Sequence, residues 1–166
     1  MIKTILKYWY LAILLLIALI INENVVQWAL AVIIGGHTLA SGFQDAFEHF
    51  TIAGYLFFTA FRAVPYAILG TALFFLPKIS SKEYFIPVFA GGLIGIVAMI
   101  LWGSWVTLKP FYTEVRISST TALAFLWIPY YAVMSGAVGV ALFSGMYTFI
   151  QFALKNTEPA KTHDSE

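Results

Sequence analysis

Five apolar stretches follow one another along this chain, and they constrain its fold more than any other feature. They run from Tyr8 to Ile21, Val25 to Phe43, Phe50 to Leu76, Tyr84 to Leu108 and Thr121 to Phe152. A helix needs roughly 20 largely apolar residues to cross the hydrocarbon core of a bilayer. The stretches lack the period-2 alternation of barrel strands, and within lipid only helices and closed barrels satisfy their backbone. The sequence therefore predicts an all-α, polytopic transmembrane helix bundle.

The composition supports this class and excludes several others. Of the 166 residues 61% are hydrophobic and 10% are charged, whereas a soluble domain carries about 25% charged residues. The charges lack the basic cluster that nucleic-acid binding requires, so we expect the lipid bilayer, and no nucleic acid, as a partner. The absence of cysteine excludes thiolate catalysis and disulfide exchange. We treat residues 1–154 as one transmembrane domain and 155–166 as a polar, disordered tail.

The distribution of positive charge favours four spans. If the stretch from Val25 to Phe43 does not span, both termini face the cytoplasm, and the cations divide six against two. The inner six are Lys3, Lys7, Lys78, Lys82, Lys155 and Lys161, and the outer two are Lys109 and Arg116. Five spans would divide them four against four. Six spans, with the last stretch split near residues 135–136, would again give six against two.

The stretch over residues 25–43 is the weakest spanning candidate by its own composition. It contains Gln27, His37 and Ser41, and Gly35-Gly36 interrupts it. We therefore predict that it is a re-entrant or interfacial segment, with five or six spans as the alternatives. The short loops and the absence of a eukaryotic targeting signal indicate the inner (cytoplasmic) membrane of a bacterium.

Small residues at a four-residue spacing predict where helices pack closely. The fourth stretch carries Gly91 and Gly95, and the fifth carries Ala137, Ala141 and Gly145. Such faces allow two backbones to approach each other within lipid. We expect these two faces to meet within one chain, with a homodimer interface as the alternative.

Arg62 is the one cation that lies deep within an apolar stretch. An arginine at the centre of a membrane helix costs about 2.5–3.5 kcal/mol on insertion scales, so its side chain needs acidic or aqueous neighbours. A polar segment offers candidates, because helical spacing would place His37, Ser41, Asp45 and Glu48 on one face, beside His49. The favoured interpretation is an ion pair between Arg62 and Asp45 or Glu48.

Two cofactor hypotheses are weaker. Asp45, Glu48 and His49 could ligate a metal, with His37 completing the set, but no HExxH motif supports this. His37 and His49 could ligate haem, yet on one helix they would lie about 18 Å apart and could not clamp one porphyrin. We therefore predict no cofactor.

The leading functional hypothesis is a small inner-membrane protein that is not an enzyme and acts as a transport-related, channel-like or accessory subunit. Its polar site would comprise Arg62, Asp45, Glu48, His49 and His37, and it would bind an anion or relay protons. One alternative is a membrane-embedded redox protein or enzyme that binds a metal or haem. Another is an interaction, immunity or assembly factor that binds another membrane protein subunit.

Overall fold

The structure is a computed structural model and describes residues 8–48, 50–79, 81–113 and 121–157. This part of the chain is helical and contains no strand. Its elements are α1 (Trp9–Ile20), α2 (Glu23–Ile33), α3 (Leu39–Phe47), α4 (Ile52–Ile79), a 3-10 turn (Lys82–Tyr84), α5 (Phe85–Leu108), α6 (Pro110–Thr113) and α7 (Thr121–Thr157). The predicted all-α class is confirmed for these residues. The last helix continues through the first three residues of the predicted tail.

Three helical segments are long and apolar enough to cross a membrane: Ile52–Pro77, Lys82–Thr113 and Leu126–Asn156. Helices α1 and α2 meet this criterion together, as a pair bent by 49° at a short break. The described residues thus hold three candidate spans, or four if the bent pair is one span. The structure divides the predicted segment 25–43, because its first part belongs to α2, which follows α1 after the bend, and its last part belongs to α3.

Asn22 satisfies the backbone at the break between α1 and α2. Its Nδ2 donates to the carbonyls of Leu19 and Ile20 at 3.2 and 3.3 Å, and its Oδ1 accepts from the Val25 amide at 3.1 Å. The Tyr55 hydroxyl donates to the Leu19 carbonyl at 2.7 Å. Carbonyls at the end of one helix and an amide at the start of the next therefore keep partners. Asn22 thus caps the break between the two helices.

Helices α2 and α3 form a hairpin. Gly36 has φ 69°, a left-handed conformation in which glycine commonly ends a helix. The Trp28 Nε1 donates to the Leu39 carbonyl at 2.9 Å, and the Asn24 Nδ2 donates to the Ala46 carbonyl at 2.8 Å. Asn24 near the start of α2 contacts Ala46 near the end of α3, and Trp28 further along α2 contacts Leu39 at the start of α3, so the two helices run antiparallel.

Helices α5 and α7 touch along a line of glycines. A Cβ atom added to Gly91 would lie within 3.0 Å of the backbone of Gly139, and one added to Gly95 would meet the backbone of Ser135 as closely. A Cβ on Gly136 would meet the side chain of Ile96 at 2.8 Å. No larger residue fits at these positions without moving the helices apart, so α5 and α7 form one tightly packed pair.

The α7 side of this contact differs from the predicted one. Gly91 and Gly95 lie in the contact, but Ala137, Ala141 and Gly145 are exposed, and a Cβ on Gly145 would meet nothing within 4 Å. The reason is helical phase. Ala137 lies two residues after Ser135, which is about 200° around a helix of 3.6 residues per turn. The predicted row of small residues therefore faces away from α5.

The main apolar core joins α1, α4, α5 and α7. Its fully packed members include Leu14 of α1, Leu73 of α4, Ile96 and Ile100 of α5 and Ala132 of α7. Ile100 also lines a small cavity together with Arg62, so this core adjoins the polar site described next.

Candidate functional site

Arg62 is buried in the bundle, with 6% of its surface exposed. Its Nη1 forms an ion pair with Oε2 of Glu23, and its Nη2 donates to the Thr59 hydroxyl at 2.8 Å. Its guanidinium carbon lies 5.8 Å from the centre of the Tyr55 ring, within the range of a cation–π contact. The positive charge is therefore neutralised and enclosed by neighbours on α2 and on its own helix.

Glu23, the acidic partner of Arg62, was not among the sequence candidates, which were Asp45 and Glu48. It is the first residue of α2, so its carboxylate lies at a helix N-terminus, where the helix dipole favours negative charge. The break at Asn22 turns α2 away from α1 and thereby creates this N-terminus. Reading the first 33 residues as one interrupted apolar run would have identified Glu23 as a carboxylate within it.

The ion pair lies well inside the candidate membrane span of α4, Ile52–Pro77. Arg62 is ten residues after Ile52 and fifteen before Pro77, so it lies about 15 Å and 22 Å from the two ends at 1.5 Å per residue. The flanking surface of α4 is apolar and includes the exposed side chains of Phe58 and Phe61. A charge at this depth is stable only with such a partner.

The remaining predicted residues lie apart from Arg62. Asp45 is partly buried on α3 and accepts a hydrogen bond from the Tyr112 hydroxyl at 3.2 Å. Glu48 is exposed at the end of α3, and His37 is exposed in the turn before it. His49 lies outside the described residues. The structure thus separates one polar group, Asp45 with Tyr112, from the buried pair at Arg62.

Of the proposed metal ligands, Asp45, Glu48 and His37 lie in the described part of the chain, whereas His49 lies outside it. Across residues 8–48, 50–79, 81–113 and 121–157, no three His, Cys, Asp or Glu side chains are arranged to hold a metal ion. Asp45 is engaged by Tyr112, and Glu48 faces outward.

A small cavity adjoins the ion pair. Its volume is about 20 Å³, and its polar walls come from Arg62, Glu23 and Ser104, while α4, α5 and α7 supply apolar side chains. Ser104 is buried on α5, and Pro129 of α7 completes the wall. The site therefore has room for a small molecule beside the charges.

The chain matches no known protein family, no curated protein and no solved structure. Its function is therefore inferred from the site itself. Chemically, the pair can respond to two kinds of ligand: a proton that neutralises the Glu23 carboxylate, or an anion that competes with it for Arg62. Either event leaves one charge without its partner in an apolar surrounding.

Proposed function

We propose that this chain is a four-span integral protein of a bacterial inner membrane, with both termini in the cytoplasm and residues 9–33 forming one bent span. The charge pattern supports this arrangement, because the division of six inner against two outer cations still holds. The connection from 34 to 51 would lie outside, and it contains Asp45 and Glu48 but no Lys or Arg.

The topology can be tested directly because the chain has no cysteine. Single substitutions His37→Cys, Lys82→Cys and Lys155→Cys place a thiol at three exposed positions. We expect a membrane-impermeant maleimide to label the first variant in intact spheroplasts and the other two only after permeabilisation. Labelling of position 82 or 155 from outside, or protection of position 37, would contradict the proposed orientation.

Within this topology we propose a transport-related role in which the Arg62–Glu23 pair is the working site. The observation that carries the proposal is a buried pair of opposite charges at a break in a membrane-length helix. Ionisable residues inside spans commonly mark ion or proton pathways, and interrupted helices form the binding sites of many transporters. Proton binding at Glu23 would release Arg62 and allow the α1–α2 bend to change.

A second candidate, an accessory subunit that binds another membrane protein, is favoured by α7. Within the chain only 6% of its membrane-length window is buried, against 33% for the window of α5. The face away from α5 carries the small residues Ala137, Ala141 and Gly145, which suit close helix packing. A subunit of a larger assembly would bury this face against its partner.

Proton flux into proteoliposomes distinguishes these roles. With a pH-sensitive dye inside the vesicles and an imposed pH gradient, we expect wild-type flux above that of empty vesicles. Glu23→Gln should reduce this flux at least tenfold, while the control Glu48→Gln changes an exposed carboxylate and should leave it unchanged. Equal flux in wild-type and empty vesicles rejects the transport role. Co-purification of a membrane protein that Ala141→Trp abolishes would then support the accessory role.

A further inference from the structure

The cavity beside the ion pair has the volume and the chemistry of a water site. A buried cavity needs roughly 10–15 Å³ to hold one water, and this one measures about 20 Å³. It therefore has room for one water molecule. A buried water also needs two to four polar partners, because an apolar cavity of this size stays empty.

The first partner is a donor on Arg62. The Nε atom of this side chain is buried and finds no hydrogen-bond acceptor among the described residues. The two contacts of the guanidinium, to Glu23 and to Thr59, use its Nη atoms and leave Nε aside. A buried donor without a partner loses its hydration with nothing in return, and the loss is greater for a charged group, so an acceptor is expected here.

Further partners line the same cavity. The Glu23 carboxylate has lone pairs beyond the one that Arg62 occupies, and the Ser104 hydroxyl can donate or accept. Pro129 of α7 also lines the cavity but offers no donor there, because it lacks an amide hydrogen. One donor and several acceptors therefore border a space that fits one water.

We propose that this cavity holds a single ordered water that accepts a hydrogen bond from Arg62 Nε and donates to Glu23 or Ser104. The water hydrates the ion pair from the side of α5 and α7, which line the cavity. The inference deepens the proposed transport role, since such a water could pass a proton to the Glu23 carboxylate, but its test is independent of flux.

The arginine content makes the test specific. The chain has two arginines, Arg62 and Arg116, so the variant Arg116→Lys has one Nε–H group. In Arg116→Lys protein labelled with 15N at arginine Nε and placed in lipid nanodiscs, we expect one Nε–H signal with a nuclear Overhauser cross-peak to water. The sign of this cross-peak should be that of a bound, slowly tumbling water.

Two matched variants at Ser104 test the location. Ser104→Val fills the cavity and should remove the cross-peak, while Ser104→Ala removes the hydroxyl but keeps the space and should retain it. Circular dichroism and thermal unfolding verify that both variants fold. If Ser104→Val does not fold, the parent Arg116→Lys spectrum still decides, because an Nε–H signal without a water cross-peak overturns the proposal.

The other outcomes are equally decisive. A cross-peak that arises from chemical exchange with bulk water, or one that persists in Ser104→Val, shows that the guanidinium meets solvent through an open path and overturns the enclosed water. A bound water together with absent flux retains this inference and rejects the transport role. Flux that depends on Glu23, in a protein without the bound water, rejects this inference and retains the transport role.

Discussion

Removing the charge of Glu23 should destabilise the bundle strongly, because Arg62 would remain buried without its acid. Breaking one partner of a buried ion pair costs about 3–5 kcal/mol, and an uncompensated arginine at mid-membrane costs about 2.5–3.5 kcal/mol. Two features reduce the expected cost: the Glu23 side chain is 22% exposed, and Arg62 keeps its contacts with Thr59 and Tyr55. We therefore expect Glu23→Gln to lower the free energy of unfolding by about 3 kcal/mol, roughly a hundredfold in the equilibrium.

The double variant Glu23→Gln/Arg62→Met is the informative comparison. With both charges absent no buried ion lacks a partner, and replacement of a buried pair by uncharged residues is often neutral or stabilising. The double variant should therefore be more stable than Glu23→Gln alone, with a coupling of about 2 kcal/mol in a double-mutant cycle. This recovery separates an electrostatic cost from simple loss of packing at position 23.

The assay is reversible unfolding in mixed micelles by titration with sodium dodecyl sulfate, followed by the fluorescence of the five tryptophans. Glu48→Gln serves as the control, since this exposed carboxylate should change stability by no more than about 0.5 kcal/mol. The reasoning is refuted if Glu23→Gln behaves like this control. It is also refuted if the double variant loses as much free energy of unfolding as Glu23→Gln and Arg62→Met lose together.

Three further predictions concern the scaffold of the site. Gly139→Ala should separate α5 from α7 and lower the melting temperature. Gly145→Ala, with open space at its Cβ, should be neutral or stabilise the protein by up to about 1 kcal/mol. Thermal unfolding compares the two variants directly, and equal shifts in melting temperature would contradict the packing of α5 against α7. Asn22→Ala should cost about 1–2 kcal/mol because the break loses its cap, as measured by the same detergent titration; an unchanged midpoint would argue against capping. Tyr112→Phe should release Asp45 and increase amide hydrogen exchange in α3, while exchange in α4 stays as in the wild type. Unchanged exchange in α3 would show that this hydrogen bond does not stabilise the hairpin of α2 and α3.

The sequence predicted the class of fold because lipid leaves little choice of structure. Long apolar stretches in a bilayer must be helices, and the polar residues between them end or cap those helices. The same reasoning showed that Arg62 needs shelter, since its cost in lipid follows from chemistry alone. Gly91 and Gly95 were recognisable as a packing face because helical spacing is fixed within one element.

The tertiary structure decided which residues meet. Asp45 and Glu23 were both carboxylates near the apolar stretches, and sequence spacing favoured the former as the partner of Arg62. The choice of Glu23 depends on the 49° bend between α1 and α2, a relation between two helices that no local periodicity encodes. Likewise, the face of α7 that meets α5 depends on the rotation of one helix relative to the other. Chemistry and spacing determine what each side chain requires, but only the packing of separate elements determines which neighbour supplies it.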